Sequence, residues 1–76
     1  MKDIVEYIVK GLVINKDAVQ VSETEEENQT VINVTVDPDD MGRVIGKGGN
    51  VATSIRTIIK SISSRTGKKV FVKFGE

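Results

Sequence analysis

Residues 44–52 read VIGKGGNVA. Two branched aliphatics run straight into Gly46-Lys47-Gly48-Gly49, and four of the chain's seven glycines fall between positions 42 and 49. Glycine costs roughly 0.5–1 kcal/mol relative to alanine inside a helix, so such a concentration marks a tight turn or a close approach of backbone to a ligand. Downstream, Val51, Ala52, Ile55, Ile58, Ile59 and Ile62 recur at the helical period and predict a helix over about Asn50 to Arg65, with an apolar stripe of roughly 120°; Thr66 and Gly67 stop it. Upstream, DPDDM (37–41) is a helix start, with Asp37 as N-cap, Pro38 at the first helical position and acids in the first turn. The glycines therefore join a short helix to a long one.

The flanks complete an α+β pattern. Ile4, Val5, Ile8, Val9 and Leu12 share one face of a helix over 2–13, with Glu6 and Lys10 on another. Gly11 weakens its last turn and NKD (15–17) ends it. AVQVSET (18–24) alternates like a strand, EEENQ makes a polar turn, and TVINVTV (30–36) sets Ile32, Val34 and Val36 on one face. These two runs form a hairpin. KKVFVKF closes the chain as a third strand with Val70, Val72 and Phe74 inward. The predicted order is helix–strand–strand–helix–helix–strand, one domain over 1–76.

Composition excludes more than it selects. There is no cysteine, hence no disulfide and no thiolate chemistry, and no histidine, the commonest acid–base group and metal ligand near neutral pH. The hydroxyls at Thr53, Ser54, Thr57, Ser61, Ser63 and Ser64 have no histidine as base and read as the solvated face of the long helix. The acids at 23–27 and 37–40 lack the spacing of a calcium loop and read as a hairpin tip and a helix cap. No catalytic residue, metal or cofactor is expected. The apolar opening is too short and too charged to span a membrane and lacks a signal-peptide cleavage pattern, so the expected location is the cytoplasm.

The formal net charge is zero, yet it divides sharply. Up to Asp40 there are three lysines against ten acids; from Met41 onward there are eight lysines or arginines against Glu76 alone. The basic half begins where the glycine-rich loop begins, which gives a neutral protein one positive surface.

Two phosphate-binding fingerprints fail at this loop. A P-loop needs four residues between its first glycine and Gly-Lys, where Gly42 and Gly46 have three between them, and then Ser or Thr, where Gly48 stands. A dinucleotide motif starting at Gly46 would need glycine at Val51 and a preceding strand. A Gly-x-x-Gly turn between helices fits instead. It leads into a helix N-terminus whose unpaired amides and dipole favour phosphate. Lys47 adds a point charge, and Arg43 and Arg56 lie within about a turn or two of the loop. Asn50 either contacts phosphate or caps the long helix, the cap being the simpler role.

At these residues the chain resembles the KH family, whose Val-Ile-Gly-x-x-Gly-x-x-aliphatic-x-x-Ile run VIGKGGNVATSI (44–55) follows nearly throughout. The order of elements is that of its type II, prokaryotic-style fold, and size and DPDDMGRVIGKGG resemble its small single-domain bacterial members, regarded as RNA-binding or RNA-chaperone proteins. The resemblance implies a three-stranded mixed sheet covered on one face by three helices, with the last two strands parallel and the first antiparallel. Single-stranded RNA would lie beside the turn, serving RNA chaperoning or post-transcriptional regulation. Gly46, Lys47, Gly48 and Gly49 take the backbone-clamping role, which in KH domains holds about four nucleotides. Ile45 and Ile55 match the aliphatics supporting the groove, although plain core positions explain them equally well. Ala52 stands where many KH domains carry a larger aliphatic, which makes the groove shallower. Arg43, Asn50 and Arg56 complete the expected contact set. Tyr7, Phe71 and Phe74 are the only aromatics, so no stacking platform is expected, although Phe71 with Lys73 can face the open side of the sheet.

The rival reading is a protein-interaction module. Six apolar residues on one helix exceed what a small core needs, and Ile58, at the edge of the stripe, is the expected contact of a homodimer unless it is simply buried. The resemblance also implies pairing with a larger, multidomain KH-containing RNA-binding protein. Dimerisation would join two weak grooves and raise avidity.

Overall fold

The computed structural model describes residues 1–75. The elements are α1 (Lys2–Leu12), β1 (Gln20–Glu26), β2 (Gln29–Thr35), α2 (Met41–Ile45), α3 (Asn50–Ser63) and β3 (Lys69–Phe74), with single 3₁₀ turns at 16–18, 38–40 and 47–49. The sheet runs β1-β2-β3, with β1 antiparallel and β3 parallel to β2. The α+β order is the predicted one.

The period-2 alternation of β2 does the organising. Thr30, Ile32, Val34 and, just past the strand, Val36 are buried, and they join Val72 of β3 with Val5, Val9, Val44, Ile55 and Ile59 of the helices in one core. Register puts Val21, Val34 and Phe74 in one row on the helix side, and Ile32 beside Val72 in the next. The opposite face carries no helix: Ser22, Asn33 and Lys73 form one row there, Thr24, Val31 and Phe71 another.

Several boundaries depart from the sequence reading. The hairpin strands continue through Glu25 and Glu26, and only Glu27 and Asn28 remain as turn, Asn28 with φ +61°, a conformation asparagine tolerates better than most residues. In α1 the core takes Val5 and Val9, and then Val13 just beyond the helix, whereas Ile4 and Leu12 remain 40% and 37% exposed. The sheet touches α1 along a strip narrower than its apolar face. Ser63 is buried, its hydroxyl donating to the Lys60 carbonyl at 3.1 Å, so it does not belong to the solvated face of α3.

Asp37 caps the 38–40 turn as expected, its Oδ1 accepting from the Asp39 amide at 2.9 Å while Oδ2 accepts from the Asn15 side chain at 3.0 Å. Those two donors, the backbone one foremost, hold its carboxyl below the ordinary 3.8. A depressed folded-state pKa adds stability above the unfolded value, which is lost as pH falls through the folded one. Asp37→Ala is therefore expected to destabilise the protein at neutral pH and to match wild type in strong acid, as urea unfolding at the two pH values will show.

Candidate nucleic-acid interface

The bend is built from backbone conformations that side chains resist. Gly46 closes α2, its amide donating to the Gly42 carbonyl at 2.9 Å, with φ +78° and ψ 173°. A Cβ there would stand 2.8 Å from both the Cβ and the backbone nitrogen of Val51. Close packing of the turn on the first residues of α3 is thus what Gly46 permits. Gly48 is left-handed at φ +65° but open to solvent, and a Cβ at that position would meet nothing within 4 Å.

The amides of the turn divide into two bonded and two unbonded ones. Gly49 N–H donates to the Gly46 carbonyl at 3.2 Å and Asn50 N–H to the Lys47 carbonyl. Among the described residues, the N–H groups of Lys47 and Gly48 have no acceptor, and both residues are exposed. Asn50 is not the cap of α3. Gly49, left-handed at φ +79°, occupies the cap position with no side-chain hydrogen bond, and Asn50 opens the helix as an exposed first residue. Among the described residues, no side-chain cap therefore competes with an anion for the amides at this end of α3.

The other expected contacts divide into three settings. Ile45 is half-buried and packs against the core beneath the bend. Ala52 and Ile55 are 2% and 3% exposed; they support the surface from below and present almost none of it. Arg43 and Arg56 are exposed cations held by specific partners. Arg43 Nε lies 3.5 Å from Asp40 Oδ1. Arg56 faces β3: its Nε donates to the Val72 carbonyl at 3.1 Å, and its guanidinium sits 5.4 Å from the Phe74 ring centroid. Both interactions leave the terminal guanidinium nitrogens of Arg56 without an acceptor among the described residues, and they cover the outer edge of β3. Ile58 is 46% exposed, on the flank of α3 away from Arg56.

Asp40 was not legible as part of this site. It is 3% exposed and accepts from the amides of Ile14 at 3.2 Å and Asn15 at 3.0 Å, tying the segment after α1 to the start of α2. Read locally, it is one more acid in a helix's first turn.

The chain that forms this bend matches a known family along almost its whole length. The model of the KhpA/KhpB KH domain matches residues 2–74. The chain belongs to the KhpA/KhpB KH-domain family. Among its relatives, RNA-binding protein KhpA of Aquifex aeolicus is 47% identical over 76 residues, covering all of this chain and 96% of the relative. RNA-binding protein KhpA of Clostridium acetobutylicum is 45% identical over 73 residues, 96% of this chain and 97% of the relative. That of Mycobacterium bovis is 43% identical over 63 residues, 83% and 79% of the two chains. No solved structure matches the chain. Among the described residues, no helix is long and apolar enough to cross a membrane, and no cluster of His, Cys, Asp or Glu could hold a metal ion.

Proposed function

We propose that this chain is a cytoplasmic, non-enzymatic protein that binds single-stranded RNA, with the Gly46–Gly49 bend gripping the sugar–phosphate backbone. The observation that carries the reading is the pair of amides on exposed Lys47 and Gly48, free of acceptors among the described residues, beside the Lys47 ammonium and the N-terminus of α3. Backbone donors and a helix dipole favour a phosphate oxygen without reading a base. The names of the KhpA relatives, which describe RNA-binding proteins, support the same class of ligand. Arg43 and Arg56 extend the positive surface on either side of the turn, Asn50 adds a neutral amide at the start of α3, and Ile45, Ala52 and Ile55 stiffen the ground beneath it.

Few phosphates are neutralised by so small a site, so binding is weak and loosely selective. About two or three of them give a salt slope of roughly −1.5 to −2 for a single strand. Replacing Lys47 and Gly48 with aspartates places two negative charges on the bend, and aspartate accepts the left-handed conformation at position 48 better than most residues. Binding of a short RNA, followed by fluorescence anisotropy, is expected to vanish while the melting curve stays cooperative. Unchanged affinity would remove the bend from the binding surface.

The exposure of Ile58 favours a second, compatible role in dimerisation, either with another copy or with a larger KH-containing RNA-binding protein of the KhpB kind. Two linked grooves would gain avidity without new contacts to RNA. Sedimentation of wild type and Ile58→Asp reads this directly: a dimer that the substitution dissociates supports it, and a folded monomer in both cases ends it.

A further inference from the structure

The sheet's uncovered face carries a second group of cations that the bend does not use. Period-2 alternation puts Lys69, Phe71 and Lys73 of β3 on that face, opposite Gln29, Val31 and Asn33 of β2. Phe71 is 47% exposed although Val31 stands beside it in the same row. A shallow groove of about 950 Å³ runs over this face and around the outer edge of β3. Five of its lining residues are cations (Arg56, Lys60, Lys68, Lys69 and Lys73) and one, Glu26, is an acid. Lys68 has a loose partner in Glu25 at 3.9 Å; among the described residues, Lys69 and Lys73 have none.

A lone exposed phenylalanine is ordinary, but here it stands midway between two lysines that have no partner among the described residues and project from the same side of one strand, roughly 13 Å apart. The middle strand adds the Asn33 amide in the row of Lys73, while that of Gln29, in the row of Lys69, already donates to Glu26 at 2.6 Å. That is a ring for one base, ammonium groups for the phosphates on either side, and one amide able to meet a base edge. Arg56 supplies continuity: it leaves α3 about 9 Å along the axis from Asn50, reaches the edge of β3 at Val72, and keeps its terminal nitrogens available. Lys47, Arg56 and Lys73 then mark a positive path from the bend to the open face.

We infer that the open face of β3, centred on Phe71, is a second contact for single-stranded RNA, taking the segment that leaves the Gly46–Gly49 bend. The inference rests on the reading of the bend as an RNA clamp. One base lies on the Phe71 ring and neighbouring phosphates meet Lys69 and Lys73. RNA long enough to reach both places binds more tightly and with a steeper salt dependence than RNA that fills the bend alone.

The test compares oligouridylates of four and twelve nucleotides by fluorescence anisotropy across a salt series, using wild type, Phe71→Ala, the Lys69→Gln/Lys73→Gln pair and the double-aspartate bend variant. The glutamine pair removes the charges but keeps polar side chains only one atom shorter on an exposed face, so it remains informative if Phe71→Ala loosens the strand. For wild type the longer RNA should show a slope steeper by about 1.4, two phosphates at roughly 0.7 each. The glutamine pair should erase that difference. Phe71→Ala should weaken the twelve-mer about five- to tenfold, the lower end for loss of one stacked base, and leave the four-mer unchanged.

Equal affinities and slopes for the twelve-mer in wild type and both sheet variants would overturn the inference while leaving the bend intact. Equal weakening of the two oligonucleotides would overturn it too, since the face would then not be a second stop along the strand. If the bend variant alone binds both RNAs like wild type, the clamp reading falls, and with it the inference that the face receives a strand leaving the bend. Absence of wild-type binding to either RNA ends both. A change in sedimentation of the sheet variants, with RNA binding untouched, would assign the face to a second copy of the chain instead.

Discussion

Gly46→Ala is expected to lower the unfolding free energy by about 4 kcal/mol, whereas Gly48→Ala, two residues along the same bend, costs only about 1 kcal/mol. The two estimates come from different physics. At position 48 the backbone is left-handed and the surroundings are empty, so the loss is the ordinary strain of an L-residue in that region, about 1–2 kcal/mol. At position 46 the pair φ +78°, ψ 173° lies where only glycine is comfortable, costing about 1–3 kcal/mol. The added methyl also meets Val51, including its backbone nitrogen at 2.8 Å. Overpacking of that kind adds about 1–3 kcal/mol. A chain of this length has only about 4–11 kcal/mol in all, so Gly46→Ala should leave a partly unfolded population at room temperature. Urea unfolding of the two variants checks the order. Val51→Ala in the Gly46→Ala background should recover part of the loss and never all of it, since truncation removes the γ carbons and leaves the β carbon and the amide in place. Equal costs at 46 and 48 would mean that the bend relaxes around an added methyl, and the close packing of turn on helix would not be essential.

This difference between two glycines of one motif marks where the sequence stops being readable. Both were legible as flexible points, because glycine clusters have few other uses. Which of them admits a side chain depends on Val51, and Val51 reads in isolation as one more apolar residue on a helical stripe. The same holds across the fold. Ile32, Val34 and Val36 were legible as core because alternation in a strand leaves two faces and only one is apolar. Val51, Ala52, Ile55, Ile58, Ile59 and Ile62 were legible as a stripe, but not their division into buried Ile59, half-buried Val51 and exposed Ile58, which depends on how far the sheet and α2 extend beneath α3. Ile4 and Leu12 failed for the same reason on α1. The mistake at Asn50 was chemical: asparagine is a strong cap by preference, but a left-handed glycine already held the preceding position and made the cap redundant. Arg56 was legible as a cation near the bend; its attachment to the Val72 carbonyl needed the return of β3 along α3, a contact between residues 16 positions apart.

Asp40→Ala is expected to cost about 3 kcal/mol, more than any other single charge removal in this chain. Its carboxylate accepts from two backbone amides 25 and 26 residues upstream and sits beside Arg43. Hydrogen bonds to a charged group contribute about 1.5–3 kcal/mol each, and a partly buried donor left without a partner costs about 1–3 kcal/mol. The sum is reduced because Ile14 and Asn15 are exposed and water can reach their amides after the change. Arg43→Ala, by contrast, should cost less than about 1 kcal/mol, since that side chain is 46% exposed, its Nε is 3.5 Å from the carboxylate, and Asp40 keeps both backbone donors without it. Asp40→Asn separates the two contributions: its carbonyl can still serve one amide, but its NH₂ group must face the other donor, so it should retain roughly half of the stabilisation. Urea unfolding of the three variants gives the order Asp40→Ala, then Asp40→Asn, then Arg43→Ala. If Arg43→Ala proves as costly as Asp40→Ala, the carboxylate acts chiefly as the partner of Arg43, and the link between the end of α1 and the start of α2 carries little. If the order stands, Asp40 does two things at once. It anchors the helix that ends in the glycine bend, and it holds Arg43 in place beside that bend at almost no cost to the arginine's exposure.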